Sequence, residues 1–281
     1  MKDKRGEFRM KLALNGATTM KADLETDISA ASRAGFDYLE IWAAKLRKFL
    51  ESNTAGRLKE LLDEHDLKPY SINSIEHISF RDAGRHAELL AECEELCSIA
   101  QTIDCPYIVV VPSPLPEAKS RAQVIDESAR VLGELASIAG RFDVSLAFEF
   151  LGQPRCSVQT LELADEIVRA TARANVGLVI DSFHFYAGGS SIESIEALDA
   201  DRLFIFHIND AEERPRGELQ DSHRLLPGLG ILPLKEIVGA LRRIGYSRAA
   251  SVEIFRPEYW ERDPFELARD AFLAASNVVR N

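Results

Sequence analysis

Eight short apolar segments recur along the 281 residues of this chain, and each precedes a stretch with helical periodicity. The segments are rich in Val, Ile, Leu and Phe, a composition typical of strands buried on both faces of a sheet. The predicted strands cover residues 11–15, 38–42, 68–73, 107–111, 145–150, 176–181, 203–209 and 249–255. Successive strands begin 27 to 46 residues apart, which indicates a series of repeated strand–helix units.

Amphipathic stretches fill the intervals between these strands. In residues 121–142, apolar side chains recur at helical spacing among Asp, Glu and Arg. Three further helical patterns cover residues 56–65, 87–103 and 161–174. A glycine follows a helical run and precedes a strand at three places, where we expect a left-handed backbone. These glycines are Gly35, Gly140 and Gly245.

The alternation of strands and helices makes this an α/β chain. Eight such units favour a closed (β/α)8 TIM barrel over an open doubly wound sheet. Neither GxGxxG nor GxxxxGKS/T occurs, so no phosphate-binding loop of an open-sheet nucleotide enzyme is indicated. No linker, charge block or low-complexity run divides the chain. We therefore predict a single domain over residues 1–281, with a polar N-terminal tail at residues 1–8.

The charge and cysteine content narrow the range of partners. The chain has 34 basic and 45 acidic side chains and a formal net charge of −11. This balance disfavours nucleic acids and anionic membranes, because both are bound through basic groups. The four cysteines form no CxxC pair, and no secretory signal or membrane-spanning apolar run is present. We expect reduced thiols, a cytoplasmic protein and a small-molecule substrate, and the composition is compatible with a homo-oligomer.

Four strands in the second half of the chain carry a potential metal ligand at or near their carboxyl ends: Glu149, Asp181, His207 and Glu253. One such carboxylate alone could pair with Arg or Lys, and His207 alone could be a hydrogen-bonded core residue. The strand ends of a TIM barrel meet at one mouth, so the four side chains are expected to converge. Three carboxylates and an imidazole predict one divalent metal ion, with Mn²⁺ favoured and Mg²⁺, Co²⁺ or Zn²⁺ as alternatives.

Two further polar residues lie in the loops that follow these strands. His184 comes three residues after Asp181, and we predict that it contacts substrate, with proton transfer or loop capping as alternatives. Arg224 lies in the longest loop, residues 210–232, where glycines allow the backbone to approach a ligand closely. Its guanidinium offers several fixed donors to substrate oxygens, and the alternative is a solvated loop charge.

The remaining predicted strand ends add polar and aromatic groups. Asn15 and Asn73 are predicted to hydrogen-bond a polyol substrate, and Trp42 is either an apolar wall or a packing residue. Among the metal ligands, Glu149 and Glu253 are the bases nearest to a bound substrate. We expect them to be catalytic, because such a carboxylate can accept a proton from carbon next to a polarised carbonyl.

Several longer strings resemble the xylose-isomerase-like barrel superfamily of sugar isomerases and epimerases, and more narrowly its 2-keto-myo-inositol (inosose) isomerases. The strings are LNGATT (14–19), AFEF (147–150), GLVIDSFHF (177–185), FHI (206–208), RLLPG (224–228) and SVEIFRPEY (251–259). The resemblance extends over essentially the whole chain. It implies that Glu149, Asp181, His207 and Glu253 are metal ligands, and that His184 and Arg224 contact substrate oxygens.

The resemblance also implies a reaction. A metal-dependent isomerase of inositol catabolism would shift the ketone of 2-keto-myo-inositol by one carbon through an enediolate. A ketose 3-epimerase, an inosose dehydratase and a non-catalytic sugar-binding barrel with a metal remain open as alternatives. Apurinic endonucleases of the superfamily hold three metals with extra histidines near strands three and four. Here the corresponding residues are Asn73 and Pro112–Ser113, which disfavours a DNA-repair site.

Overall fold

A computed structural model describes residues 10–117 and 119–280 of the chain. The predicted polar tail at residues 1–8 lies outside the described residues. In chain order the strands are β1 (Lys11–Asn15), β2 (Tyr38–Trp42), β3 (Lys68–Ile75), β4 (Tyr107–Val110), β5 (Ser145–Glu149), β6 (Val176–Asp181), β7 (Leu203–Ile208), β8 (Asp210–Ala211), β9 (Arg224–Leu225) and β10 (Ala249–Val252). Eight of them, all except β8 and β9, are hydrogen-bonded in the closed order β1-β10-β7-β6-β5-β4-β3-β2. The predicted (β/α)8 TIM barrel is confirmed.

Helices connect the barrel strands and cover the outside of the barrel. They are α1 (Leu24–Ala34), α2 (Ala43–Leu50), α3 (Ala55–Glu64), α4 (Ala83–Thr102), α5 (Arg121–Ala139), α6 (Leu161–Ala170), α7 (Ser182–Gly188), α8 (Ile192–Glu196), α9 (Leu234–Arg243), α10 (Pro257–Trp260) and α11 (Pro264–Arg280). Side chains fix several of the helix starts. Ser120 caps α5 by accepting a hydrogen bond from the backbone of Gln123, whose side chain accepts one from the backbone of Ser120.

The prediction of a left-handed backbone is wrong at one of the three glycines. Gly35 and Gly245 have positive φ angles of 93° and 82°, as expected. Gly140 instead has φ −63°, because the chain continues for one 3-10 turn, Gly140–Phe142, beyond α5. The reversal falls on Asp143 at φ 58°, a residue whose short polar side chain tolerates this conformation.

Aromatic residues fill the barrel interior near the beginnings of the strands. The rings of Tyr107 and Phe204 stack with centroids 5.0 Å apart, and Tyr70 lies edge-on to Tyr107 at 5.5 Å. The Tyr70 hydroxyl donates to the carbonyl oxygen of Phe204 at 2.6 Å and accepts from the amide of Ala249 at 3.2 Å. This layer fills one end of the barrel, so the buried polar side chains gather at the carboxyl ends of the strands.

The loop of residues 210–232 contains its own strand pair and a set of hydrogen bonds. β8 pairs antiparallel with β9, which places Arg224 opposite Ala211. The Asp210 carboxylate accepts backbone hydrogen bonds from Ala211 (2.9 Å), Leu232 (2.8 Å) and Gly228 (3.0 Å). Three bonds to one buried carboxylate tie both ends of the loop together, and they hold Arg224 over the barrel mouth.

Two compositional expectations concern the rest of the molecule. The four cysteines are buried and unbridged, in agreement with the expected reduced thiols. Among the described residues, no helix has the length and apolar character needed to cross a membrane. The single domain over residues 1–281 stays a prediction.

Candidate metal centre at the barrel mouth

The structure brings the four predicted metal ligands together. Glu149 and Asp181 end β5 and β6, His207 is the second-last residue of β7, and Glu253 directly follows β10. One potential ligand atom from each residue lies within 4.8 Å of the others. All four side chains are buried, with Glu149 the most exposed at 4%. The barrel geometry therefore produces the convergence that strand positions predicted.

One nitrogen of His207 lies at the centre of this cluster. Its Nδ1 atom lies 3.0 Å from Glu149 Oε1, 3.4 Å from Glu253 Oε2 and 3.9 Å from Asp181 Oδ2. The other ring nitrogen, Nε2, lies 3.1 Å from both carboxylate oxygens of Glu40. Since Glu40 can only accept when ionised, Nε2 carries the proton in the neutral ring, and the Nδ1 lone pair faces three carboxylates.

This donor set fits a divalent cation. A lone pair facing three anionic oxygens in a buried site is unfavourable unless a positive charge lies between them. Without a metal, a proton must take that place: burial lowers the pKa of His207, but Glu253, Glu40 and Glu149 outweigh it and raise that pKa well above its usual value. Oxygen donors with one imidazole suit Mn²⁺, Mg²⁺, Co²⁺ or Zn²⁺.

Two amides orient the carboxylate of Glu253. Its Oε1 atom accepts from Asn15 Nδ2 at 3.0 Å and from Asn73 Nδ2 at 2.8 Å. Its Oε2 atom accepts from Arg224 Nη1 at 3.1 Å. Burial and the like charges of Glu149 and Asp181 nevertheless raise the pKa of Glu253 well above its usual value, against His207 and Arg224. Asn15 and Asn73 thus contact a predicted ligand, and their contact with substrate stays a prediction.

Arg224 is buried inside the cluster, so the alternative of a solvated loop charge is wrong. Only 1% of its surface is exposed. Its Nη1 atom donates to Asp181 Oδ2 at 2.6 Å as well as to Glu253, and its Nη2 atom donates to Asp221 Oδ1 at 3.0 Å. Burial raises the pKa of Asp181, but Arg224 and the nearby histidines reverse the shift and hold it well below its usual value. The guanidinium is therefore a countercharge of the metal-free site, beside the proton on His207.

His184 has an unpaired donor in the same site. Its Nε2 atom lies 3.0 Å from Arg224 Nη2, and because arginine only donates, this nitrogen accepts. The proton is therefore on Nδ1, which is buried and has no hydrogen-bond partner among the described residues. Burial and the charge of Arg224 lower the pKa of His184, which keeps the ring neutral. This free N–H group can donate to an oxygen of a bound molecule.

The position of His184 differs from the predicted loop. It lies in the first turn of α7, which begins directly after β6. The Asp181 side chain caps this helix by accepting hydrogen bonds from the backbone amides of Phe183 (2.7 Å) and His184 (3.1 Å). A predicted metal ligand is thus also a helix N-cap, and the cap fixes the distance between Asp181 and His184.

Glu40 belongs to the site although the sequence pattern assigned it no role. It lies in the middle of β2, between Leu39 and Ile41, and it is fully buried. Burial raises its pKa, but the charge and hydrogen bond of His207 lower the pKa below its usual value. The sequence signal was the same as for the four predicted ligands, a carboxylate within an apolar strand.

Two aromatic residues at the mouth, Trp42 and Phe255, are partly exposed. The rings of Trp42 and Phe255 meet edge to face with centroids 5.5 Å apart. Trp42 also lines a cavity of about 490 Å³, together with Lys45 and Asn53. The ring centroids of Phe255 and Phe183 lie 5.2 Å and 4.8 Å from the central carbon of the Arg224 guanidinium. The role of Trp42 as an apolar wall for substrate stays a prediction.

The described residues contain no second metal-binding cluster. Within residues 10–117 and 119–280, the four predicted ligands are the one group of three or more His, Cys, Asp or Glu side chains that could hold an ion. Two loop residues that could add metal ligands, Asp221 and His223, have other partners: Asp221 accepts from Arg224, and His223 Nδ1 accepts from the backbone amide of Gln220 at 3.1 Å. This arrangement offers no support for a three-metal DNA-repair site.

Comparisons with known proteins agree with the barrel fold. A sequence model of the xylose isomerase-like TIM-barrel family matches residues 28–274. The inosose isomerase of Bacillus velezensis is 38% identical over 272 residues, which cover 96% of this chain and 97% of that enzyme. The inosose isomerase of Bacillus subtilis is also 38% identical, over 96% of this chain and 98% of that enzyme.

Solved structures give the same result. A crystal structure of an IolI protein with a bound zinc atom has a TM-score of 0.93 and 38% sequence identity, and the match covers 96% of this chain and 98% of that one. A D-psicose 3-epimerase from Clostridium cellulolyticum has a TM-score of 0.78 at 20% identity, which is a likeness of fold alone. The resemblance found in the sequence is confirmed, and the chain belongs to the xylose isomerase-like TIM-barrel family.

Proposed function

We propose that this chain is a divalent-metal-dependent isomerase that converts 2-keto-myo-inositol to its 1-keto isomer in inositol catabolism. The observation that carries the proposal is the convergence of three carboxylates on His207 Nδ1 at the barrel mouth. The full-length similarity to inosose isomerases supports the substrate. The acidic charge and the unbridged cysteines support a cytoplasmic enzyme with a small-molecule substrate.

Glu149, Asp181, His207 and Glu253 would hold the metal, for which Mn²⁺ is our choice. The zinc in the IolI structure supports a divalent ion without selecting Mn²⁺ over Zn²⁺. Such an ion would supply positive charge that polarises the substrate carbonyl and stabilises negative charge on oxygen. The remaining steps depend on side chains of the chain itself.

The two glutamates differ in their freedom to accept a proton. Glu253 is held by Asn15, Asn73 and Arg224, which occupy both of its oxygens, so its carboxylate is not free to turn towards a substrate carbon. Glu149 has one contact of this kind, to His207, and its Oε2 atom has no hydrogen bond to a described residue. We therefore assign removal of the carbon-bound proton to Glu149, and we assign orientation and charge balance mainly to Glu253.

The proton transfer balances as a 1,2 shift. Glu149 takes the proton from the carbon that bears the hydroxyl and returns it to the neighbouring carbon, while the hydroxyl proton passes to the former carbonyl oxygen. The free Nδ1–H of His184 is suited to donate a hydrogen bond to one of these oxygens. Return of the proton to the opposite face of the original carbon would instead give an epimerase.

The test is proton NMR of metal-loaded protein with 2-keto-myo-inositol in D₂O. We expect deuterium to appear in a new ketoinositol, and we expect Glu149→Gln to lower turnover about 100-fold or more. Glu166→Gln, which removes an exposed carboxylate paired with Arg121, is the control and should keep full activity. Loss of water from the substrate would indicate a dehydratase, and exchange with a ketohexose alone would indicate an epimerase.

Binding without exchange or product would refute catalysis and leave a sugar-binding barrel. Full activity of Glu149→Gln combined with an inactive Glu253→Gln would reverse the assignment of the base. Equal loss in both variants, with Mn²⁺ still bound to each, would mean that the two glutamates share the proton transfer.

A further inference from the structure

Glu40 is a fourth carboxylate in the site, and it lies outside the group of predicted metal ligands. It is on β2, across the barrel from β7, and none of its surface is exposed. Both of its oxygens lie 3.1 Å from His207 Nε2. It forms no ion pair with a described Lys or Arg side chain, and the ionisable group that it contacts is His207. Such a residue is costly to bury, so its contacts need an explanation.

A second contact connects Glu40 to the opposite side of the cluster. The Asn73 Nδ2 group donates to Glu40 Oε1 at 3.1 Å and to Glu253 Oε1 at 2.8 Å. Glu40 is thus linked directly to the imidazole in the predicted ligand set, and through one amide to a carboxylate of that set. Rotation of its carboxylate would disturb both contacts at once.

The charge of the cluster is consistent with a cation at its centre. Glu40, Glu149, Asp181 and Glu253 against the single guanidinium of Arg224 leave a formal charge of −3 when His207 is neutral. A divalent ion reduces this to −1, so the fourth carboxylate becomes favourable when a metal is bound. Glu40 has no exposed surface, and its carboxylate accepts from Asn73 and lies against His207 Nε2.

We propose that Glu40 is a positioning residue for the metal centre. It accepts the Nε2–H bond of His207, which fixes the ring orientation and keeps the Nδ1 lone pair free for the cation, and its charge increases the basicity of that nitrogen. The inference rests on the metal centre of the proposed function, but it does not depend on the identity of the substrate.

Two variants separate the acceptor from the charge. Glu40→Gln keeps an oxygen for the Nε2–H bond and removes the charge, whereas Glu40→Leu removes both. The affinity for Mn²⁺, measured by calorimetric titration, should fall about tenfold for E40Q and about 100-fold for E40L. Asp27→Asn is the matched control, because Asp27 is also a buried carboxylate but pairs with Lys45 at 2.6 Å, outside the cluster. The Mn²⁺ affinity of this control should remain that of the wild type.

The tautomer of His207 provides a second measurement. It would not change if Glu40 had only a structural role. In the Zn²⁺-loaded wild type with ¹⁵N-labelled histidine, NMR should show His207 protonated at Nε2 and bound through Nδ1. E40Q should keep this state, and E40L should lose it or populate both tautomers. This measurement on the wild type does not require any variant to fold.

The outcomes distinguish the inference from the proposed function. Wild-type affinity in both E40Q and E40L, or protonation of His207 at Nδ1, overturns the role of Glu40 and leaves the metal centre intact. Loss of turnover in E40Q at saturating Mn²⁺ with unchanged affinity also overturns it, since Glu40 would then act on the reaction. Failure of the wild type to bind Mn²⁺ or Zn²⁺ overturns the metal centre itself.

Discussion

Replacement of Arg224 by methionine tests whether its guanidinium is a countercharge of the metal-free site. Arg224 donates to Asp181 at 2.6 Å and to Glu253 at 3.1 Å, and all three side chains are at least 97% buried. Removal of one partner from such a buried pair costs about 3–5 kcal/mol, because the other charge stays buried and unpaired. Methionine keeps most of the volume between Phe183 and Phe255, so the loss should be mainly electrostatic.

This free energy converts to a measurable shift in thermal unfolding. For 281 residues the unfolding entropy is about 0.6 kcal/mol/K, so the midpoint of the metal-free variant should fall by about 5–8 °C. The assay is circular dichroism of EDTA-treated protein. The control is Arg141→Met, because Arg141 pairs with Glu94 at 2.9 Å but both side chains are more than half exposed. Its midpoint should change by less than about 2 °C.

Addition of Mn²⁺ gives the second half of the test. Loss of the guanidinium removes a positive charge beside Asp181 and Glu253, so Mn²⁺ should bind the Arg224→Met variant more tightly than the wild type. The gap between the two unfolding midpoints should then narrow in the metal-loaded proteins. A loss below about 1 kcal/mol without metal, or a gap that widens with Mn²⁺, would refute the reasoning.

The remaining predictions concern packing, pH and metal removal. Gly188→Ala should unfold or strongly destabilise the barrel, because its Cβ would lie 2.0 Å from Gln159 O; Gly133→Ala, with no neighbour within 4 Å in α5, should stabilise it by about 1 kcal/mol in urea titrations. The pKa values of His207 and Glu253 are raised, so metal binding must displace protons from these groups and metal affinity should weaken as pH falls. Calorimetric titration in two buffers measures the protons released when the metal binds. Absence of proton release would contradict the prediction. EDTA should abolish turnover, and Mn²⁺ should restore it.

The barrel was predictable because the apolar runs and helical periodicities that specify it lie within short segments of the chain. Buried parallel strands are continuous apolar runs, and their positions were found to within three residues. The errors occurred where a single hydrogen bond or turn decides the structure. Gly140 continues into a 3-10 turn, and His184 lies in a helix that begins because the Asp181 side chain caps it. A residue pattern does not reveal which side chain will accept such a bond.

The metal site, like the barrel, was predicted in part from the sequence. Glu149, Asp181, His207 and Glu253 were recognisable because polar side chains at the ends of apolar strands must share one mouth in a closed barrel. The positions of Asn15 and Asn73 were also identified, but the structure directs their amides to Glu253. The sequence left Arg224 either as a donor to substrate oxygens or as a solvated loop charge. Only the fold of the loop that carries it shows that the side chain is buried.

The sequence by itself determined the eight strand–helix units, the family resemblance and the four side chains of the candidate metal centre. These follow from periodicity and from residue types along the chain. The tertiary structure alone decided how the donors are paired: His207 between Glu40 and Glu149, and Arg224 between Asp181 and Glu253. Those contacts join residues 29 to 167 positions apart, and their geometry exists only after the barrel closes and excludes water, which makes each buried charge depend on its neighbours.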